Sequence, residues 1–231
     1  MADKALFNEW PERYDAWFAT PTGKLVRKVE GELVNELLRP APGEKILDAG
    51  CGTGVFTTDI LKAGTKVAGL DISLPMLMAA CGKSSGYPFS PVYADMCHLP
   101  FRNNSFDKAV SITAIEFIED AQSVVDELFR VVKPGGYVVV ATLNSLSLWA
   151  VRRREKTVKG QRHILENAFY RSPQDLLALS SLPGITRTAV HFSKDEDPII
   201  APTIEEQGNK DEPDTGAFVA VRWQKPPTNR R

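Results

Sequence analysis

The 231-residue sequence predicts an α/β fold, a doubly wound sheet carrying helices on both faces, and three observations predict it. Apolar runs and amphipathic runs alternate five times between residues 45 and 144, the pattern of strand–helix–strand crossovers that return right-handed onto one sheet. The first apolar run ends in three glycines at alternate positions, Gly50, Gly52 and Gly54. With 43% hydrophobic and 25% charged residues the chain can build a sizeable core, and its length suits one domain with appendages.

Residues 7–38 read as helical. Phe7, Trp10, Tyr14, Trp17 and Phe18 recur at three- and four-residue intervals, then Leu25, Val29, Leu33 and Leu37 at strict fours, with Pro21 between the two helices. Pro40, Pro42 and Gly43 stop the second helix, and KILDAG begins the first strand. VFTTDILKA then reads as a helix closed by Gly64, and KVAGLD as a strand ending in an acid. Ser73 can cap the next helix, with Pro75 in its first turn, where a missing N–H is harmless.

FSPVYAD is a third strand ending in Asp95, DKAVSIT (107–113) a fourth, DAQSVVDELFRVV (120–132) an amphipathic helix, and GYVVVATLN (136–144) a fifth strand announced by the turn KPGG. Beyond it come a helical region 145–155, a helix at 172–180, and two β-like runs, ITRTAVHF and AFVAVRWQK. The acidic, proline-containing stretch between those runs, 193–216, reads as a mobile loop, with a substrate lid as the alternative. QKPPTNRR reads as a frayed tail.

In an open α/β sheet, ligands bind beyond the carboxyl ends of the strands. Gly50, Gly52 and Gly54 follow strand 1, Asp71 ends strand 2, Asp95 strand 3 and Thr113 strand 4, so four strand tips face one crevice. The spacing G-x-G-x-G departs from the dinucleotide fingerprint G-x-G-x-x-G, and no G-K-[ST] follows for a P-loop. The glycines let a ligand approach bare backbone while a helix N-terminus offers N–H groups to a carboxylate. Asp71 can accept two hydrogen bonds from ribose hydroxyls, Asp95 one from an exocyclic amine, and Met76 and Met96 give flexible apolar surface for a flat ring. These three groups together describe S-adenosylmethionine.

ILDAGCGTG, GLDIS, ADMCHLPF, NSFD and ELFRVVKPGGYVVV resemble the successive motifs of the class I S-adenosylmethionine-dependent methyltransferases, nearest the small bacterial type related to the ubiquinone- and menaquinone-biosynthesis enzymes. The likeness spans about residues 8–150. It implies a Rossmann-like seven-stranded sheet of order 3-2-1-4-5-7-6 with strand 7 antiparallel, and one methyltransferase domain. Within that domain 1–42 is a helical cap, 43–144 the cofactor core, 145–224 the acceptor side and 225–231 a tail. It also implies that Gly50, Gly52 and Gly54 hold the methionine part, with Asp48 and Ala49 behind them. Asp71 would bind the ribose, Ile72 and Met76 would lie beside the adenine, and Asp95 and Met96 would read its edge. Thr113 and Ala114 would lie under the sulfonium, and Tyr14 would close over the cofactor. The product would be S-adenosyl-L-homocysteine.

The Trp10, Tyr14, Trp17, Phe18 stripe reads as packing, Tyr14 excepted, since a tyrosine face attracts a sulfonium. VRRREK at 151–156 reads as a solvated helix face, and Cys51 and Cys97 as small apolar fillers. His191 reads as structural. His163 and Tyr170 are the candidates for proton removal or acceptor positioning. The acceptor is expected to be a small molecule of unassigned class. Two other functions fit the same pattern: a nicotinamide-dependent dehydrogenase, disfavoured by the missing third glycine, and a non-catalytic sensor that keeps the cofactor site.

The bulk numbers narrow the partners. A net charge of −1 with dispersed basic residues argues against nucleic acid, and no apolar run approaches the roughly 18 residues that span a bilayer. Three cysteines without paired or metal-type spacing, and no signal-peptide pattern, lead to the expectation of a reduced, cytoplasmic protein without a metal site.

Overall fold

In the computed structural model, the described residues are 7–158, 165, 168–211 and 213–228. Seven strands form one sheet in the order β3-β2-β1-β4-β5-β7-β6: β1 (Lys45–Ala49), β2 (Lys66–Asp71), β3 (Phe89–Tyr93), β4 (Phe106–Ile112), β5 (Val132–Leu143), β6 (Gly184–Ala189) and β7 (Phe218–Gln224). β1 to β5 are parallel, and β7 runs antiparallel between β5 and β6, as the resemblance implied.

The central strands are apolar on both sides because helices cover both faces. On one face α2 (Pro21–Leu38) and α3 (Thr57–Lys62) pack Val34, Leu38 and Ile60 against Ile46, Val110 and Val139. On the other, α5 (Ala121–Val131) and α7 (Pro173–Leu177) pack Val124, Leu128 and Leu176 against Leu47, Ala109 and Val138. Neighbouring residues such as Ile46 and Leu47 enter opposite cores, the period-two consequence of the pleat.

Helix starts follow local chemistry. Thr20 caps α2, accepting from the Gly23 amide at 3.0 Å, and Ser73 caps α4 (Leu74–Lys83) with Pro75 in its first turn. Asp120 caps α5, and Ser172 and Asp175 form a reciprocal capping box on α7. α1 (Pro11–Ala19) precedes α2, and α6 (Leu148–Val158) follows β5.

Two expectations need correction. KPGG does not precede the fifth strand but lies inside it. β5 pairs Val132 with Phe106, then Tyr137 with Lys108, and bulges between them, Gly135 taking φ +84°. The stretch 193–216 is no loose loop, because it contains α8 (Ala201–Asp211). Proline, glycine and acidic residues give this segment weak helix propensity, yet the Glu205 carboxylate, 4% exposed, accepts the Val190 and His191 amides at 3.0 and 2.6 Å. The His191 ring packs on α8 where Gly208 lacks a side chain, in keeping with a structural histidine. No helix among the described residues is long and apolar enough to cross a membrane.

Candidate active site

The carboxyl ends of β1, β2 and β4 and the turn after β3 open into a cavity of about 400 Å3. Tyr14, Asp48, Gly50, Gly52, Asp71, Ile72, Met76, Asp95, Met96, Thr113 and Ala114 line it, as does Tyr170. Ala49 and Gly54 do not reach it, and His163 falls outside the described residues.

The glycine loop has three different reasons for its three glycines. All take positive φ, at +79°, +53° and +78°. A Cβ on Gly50 would sit 2.3 Å from the Ala114 Cβ, and one on Gly54 would sit 3.2 Å from Ala80 of α4. Those two are bare because the protein's own chain passes there. Of the three, only Gly52 has no atom of the described residues, its chain neighbours aside, within 4 Å of a would-be Cβ. The dinucleotide pattern fails in three dimensions too, since its third glycine position, counted from Gly52, is Thr57, whose hydroxyl donates to Asp48 Oδ2 at 2.6 Å. Asp48, 2% exposed, thereby fixes the first turn of α3, and burial pushes its carboxyl up to about 7, countered in part by that hydrogen bond and reinforced by the charge of Asp71.

Asp71 is oriented by backbone amides. Oδ2 accepts from Gly52 and Oδ1 from Ser73, each at 2.8 Å, so each oxygen retains acceptor capacity. Burial pushes this carboxyl up, and the amides of Ser73, Gly52 and Ile72 pull it back. Asp95 lies two residues beyond β3, its Oδ1 accepting from Cys97 at 2.9 Å. Burial pushes the Cys51 thiol well up and Cys97 to about 11, which suits fillers and not nucleophiles.

A roof comes from the N-terminal helices. The stripe read as packing does pack, with Trp17 and Tyr14 edge-on to Phe18 and Phe18 edge-on to Phe56, but all four residues also line the cavity. Helical periodicity registers an apolar face; it cannot tell a core from a cavity wall. Asp15 ties α1 to the glycine loop, accepting from Thr53 Oγ1 at 2.7 Å and from Lys83 at 2.5 Å. Thr113 takes φ +46°, a strained value for a β-branched residue, and its side chain lies near enough to the Tyr14 hydroxyl to offset in part the effect of burial on it. Burial pushes that hydroxyl well above its ordinary range, and the charges of Glu30 and Glu116 push the same way.

Those two carboxyls escaped sequence reasoning. Glu30, 5% exposed, and Glu116, 1% exposed, both line the cavity. Glu30 carried a signal, standing four residues after Val26 on the buried stripe of α2; Glu116 follows strand tip 4 in a 3-10 turn (Ile115–Phe117). Glu116 accepts from Thr142 Oγ1 at 2.9 Å, and burial raises it to about 7. Glu30 is driven up by burial, then by the charges of Glu116 and Glu205. The basic run is not wholly a solvated face either, because Arg153 turns into the cavity and donates to the Tyr170 hydroxyl.

The methyltransferase-domain family matches residues 47–140. A demethylmenaquinone methyltransferase of Corynebacterium kroppenstedtii is 34% identical over 140 residues, 61% of this chain and 59% of that protein. A malonyl-[acyl-carrier protein] O-methyltransferase of Pseudescherichia vulneris is 31% identical over 182 residues, 70% of each chain. The chain thus spans between half and four-fifths of the length of such relatives, 49% and 78% for the counterparts in Serratia marcescens and Yersinia pestis. In fold it is similar to a crystallised S-adenosylmethionine-dependent methyltransferase of Thermotoga maritima, with TM-score 0.75, 23% identity, and 95% of this chain and 98% of that one covered.

Proposed function

Because the chain belongs to the class I S-adenosylmethionine-dependent methyltransferases, we propose that it moves a methyl group from S-adenosylmethionine to a small-molecule acceptor in this cavity. One observation carries the reading: Asp71, clamped by the Gly52 and Ser73 amides, presents both oxygens beside the one loop glycine with open space in front of it. That arrangement fits the donor. A ribose diol would find two acceptors already aimed, and the amino-acid end would find bare main chain at Gly52.

The donor supplies a methyl group activated by a positively charged sulfur. The chain's task is to hold the parts in line and keep water away. Asp71 would orient the ribose, Asp95 would accept from the adenine amine, and Met76, Ile72 and Met96 would sandwich the ring. Asp48 would act indirectly by fixing the helix behind the loop. Tyr14, with the neighbouring aromatic roof, would face the cationic centre, where its ring is worth about 0.5–2 kcal/mol.

Isothermal titration with S-adenosylhomocysteine tests the reading. Wild-type protein is expected to bind in the micromolar range and Asp71→Ala at least about tenfold more weakly, the loss of a charge-assisted hydrogen bond. Wild-type protein that binds no S-adenosylhomocysteine at millimolar concentration overturns the proposal. Labelled methyl transfer into a metabolite extract then identifies the acceptor, and persistent absence of transfer favours a binding protein without catalysis.

A further inference from the structure

We propose, building on that methyl-transfer reading, that the acceptor is a protonated amine on an apolar or aromatic body, its ammonium held between the Glu30 and Glu116 carboxylates. The starting point is Glu30. The residue is nine-tenths buried, its carboxyl oxygens open onto the cavity and are not among the sealed polar atoms, and no hydrogen bond or ion pair from the described residues holds them. A buried carboxyl without a donor is costly, and a well-packed domain rarely keeps one without use. Here the missing donor is a ligand's.

Glu116 adds a second acceptor. Burial pushes its carboxyl up, its own backbone amide and the Thr142 hydroxyl, which donates at 2.9 Å, pull it down, and its two oxygens retain capacity toward the cavity. The two acids are close enough for the charge of one to weigh on the other, and both weigh on Tyr14. Like charges at such a site resist joint ionisation, and a cation placed between them removes the conflict. An ammonium supplies both the charge and three N–H donors.

Against burial, Glu116 already feels two cations, Arg171 and Arg153, whose charges pull its carboxyl down. Glu30, pushed up by burial, feels among the described residues only the like charges of Glu116 and Glu205. Arg153 donates to Tyr170 and lies over its ring at 5.7 Å, Arg13 lies over Trp10 at 5.6 Å, and Lys194 has a partner of its own. No comparable unpartnered cation awaits an acidic acceptor among these. The wall of the same cavity includes Tyr14, Trp17, Phe18 and Trp149, which favours a flat apolar body and lends cation–π attraction to its charged end. Position matches chemistry as well, because Tyr14 and Thr113, which stands at strand tip 4 beside the proposed donor site, line the same cavity as the two acids. Before the nitrogen can attack, one N–H proton must leave it; a carboxylate in contact takes that proton and the electron pair stays on nitrogen.

The test is binding, without turnover. Protein saturated with S-adenosylhomocysteine is titrated with phenethylamine, its alcohol isostere 2-phenylethanol and its acid counterpart 3-phenylpropionate. The amine is expected to bind roughly 10- to 100-fold more tightly than the alcohol, and Glu30→Gln to abolish that preference while still taking up S-adenosylhomocysteine. Equal binding of amine and alcohol, tighter binding of the acid, or an unchanged preference in Glu30→Gln overturns the assignment and leaves the methyl-transfer reading standing. Wild-type protein unable to bind S-adenosylhomocysteine overturns both. Should Glu30→Gln not fold, the amine-to-alcohol ratio in the wild type decides alone.

Discussion

Replacing each loop glycine by alanine in turn separates the demands of the fold from those of a ligand. All three pay for positive φ, about 1–2 kcal/mol for a residue with a Cβ. Gly50→Ala adds a clash, since 2.3 Å to the Ala114 Cβ is far inside the roughly 3.5–4.0 Å that two carbons prefer, and overpacking of that kind costs about 1–3 kcal/mol more. Gly54→Ala meets Ala80 at 3.2 Å, a few tenths of an ångström too close, so it falls between. Gly52→Ala meets nothing within 4 Å and carries the backbone term alone. For a chain of this size 1 kcal/mol moves Tm by about 2–4 °C. Thermal unfolding should therefore rank Gly50→Ala lowest, roughly 4–20 °C below wild type, with Gly52→Ala only about 2–8 °C below. Calorimetry with S-adenosylhomocysteine should then single out Gly52→Ala as a folded protein with affinity reduced about tenfold or more, because its methyl occupies space the ligand needs. Wild-type affinity in Gly52→Ala would refute the claim that a ligand lies on that backbone, and a Gly52→Ala as unstable as Gly50→Ala would refute the packing argument.

Asp48→Asn should flatten the pH dependence of stability measured by urea unfolding. The folded carboxyl, at about 7, keeps a proton that the unfolded chain releases near 3.9, so the contribution is full below about pH 4 and is lost as pH rises through 7, up to about 4 kcal/mol. Glu116, also near 7, leaves a residual slope, and wild-type and variant curves that stay parallel from pH 5 to 8 would contradict the assignment. Glu205→Ala should lower the unfolding free energy by about 2–4 kcal/mol, because two buried amides lose their acceptor. Asp15→Ala should leave Tm nearly unchanged yet weaken S-adenosylhomocysteine severalfold, as the first helix is untied from the glycine loop; unaltered affinity would count against a closing role. Glu30→Leu should raise the unfolding free energy by about 1 kcal/mol, since burial raises this carboxyl and no protein donor among the described residues offsets it although its oxygens open onto the cavity, and a loss of stability instead would show that the carboxyl is satisfied.

The sheet was legible because parallel strands must alternate with crossovers, and a ligand site was legible because strand tips are where such sheets open. Strand order was not contained in the periodicity and came from the motif resemblance, and register came only from the structure. The glycine triplet was read as one ligand cradle, yet Gly50 and Gly54 are bare for Ala114 and Ala80, contacts that no local pattern encodes. Segment 193–216 hid α8 because what holds it, Glu205 on the Val190 and His191 amides, joins residues 14 and 15 apart and outweighs poor propensity. Arg153 looked like one member of a basic run until the end of β5 set which face of α6 turns inward. Glu30 was visible as an acid within an apolar stripe, a pattern break that deserved the weight given to the glycines.

The two ends of the cavity solve different physical problems. Toward β1, β2 and β3 the polar groups are settled before any ligand arrives: Asp71 is held by Gly52 and Ser73, Asp48 by Thr57, and Asp95 by Cys97. A ligand meets fixed acceptors there and spends little on ordering them, which suits a donor molecule that never varies. Beneath α1, α2 and α6 the arrangement is the reverse, with Glu30 buried unpaired and Glu116 half satisfied. Such groups cost stability until something binds, and what they exclude is as informative as what they admit, since an acid or a neutral apolar molecule leaves the deficit in place. The first end rests on backbone and strand tips, so changes of side chain elsewhere leave it intact. The second rests on a few side chains from α2 and the turn after β4, and a single substitution at Glu30 or Glu116 would redirect the acceptor without disturbing the donor.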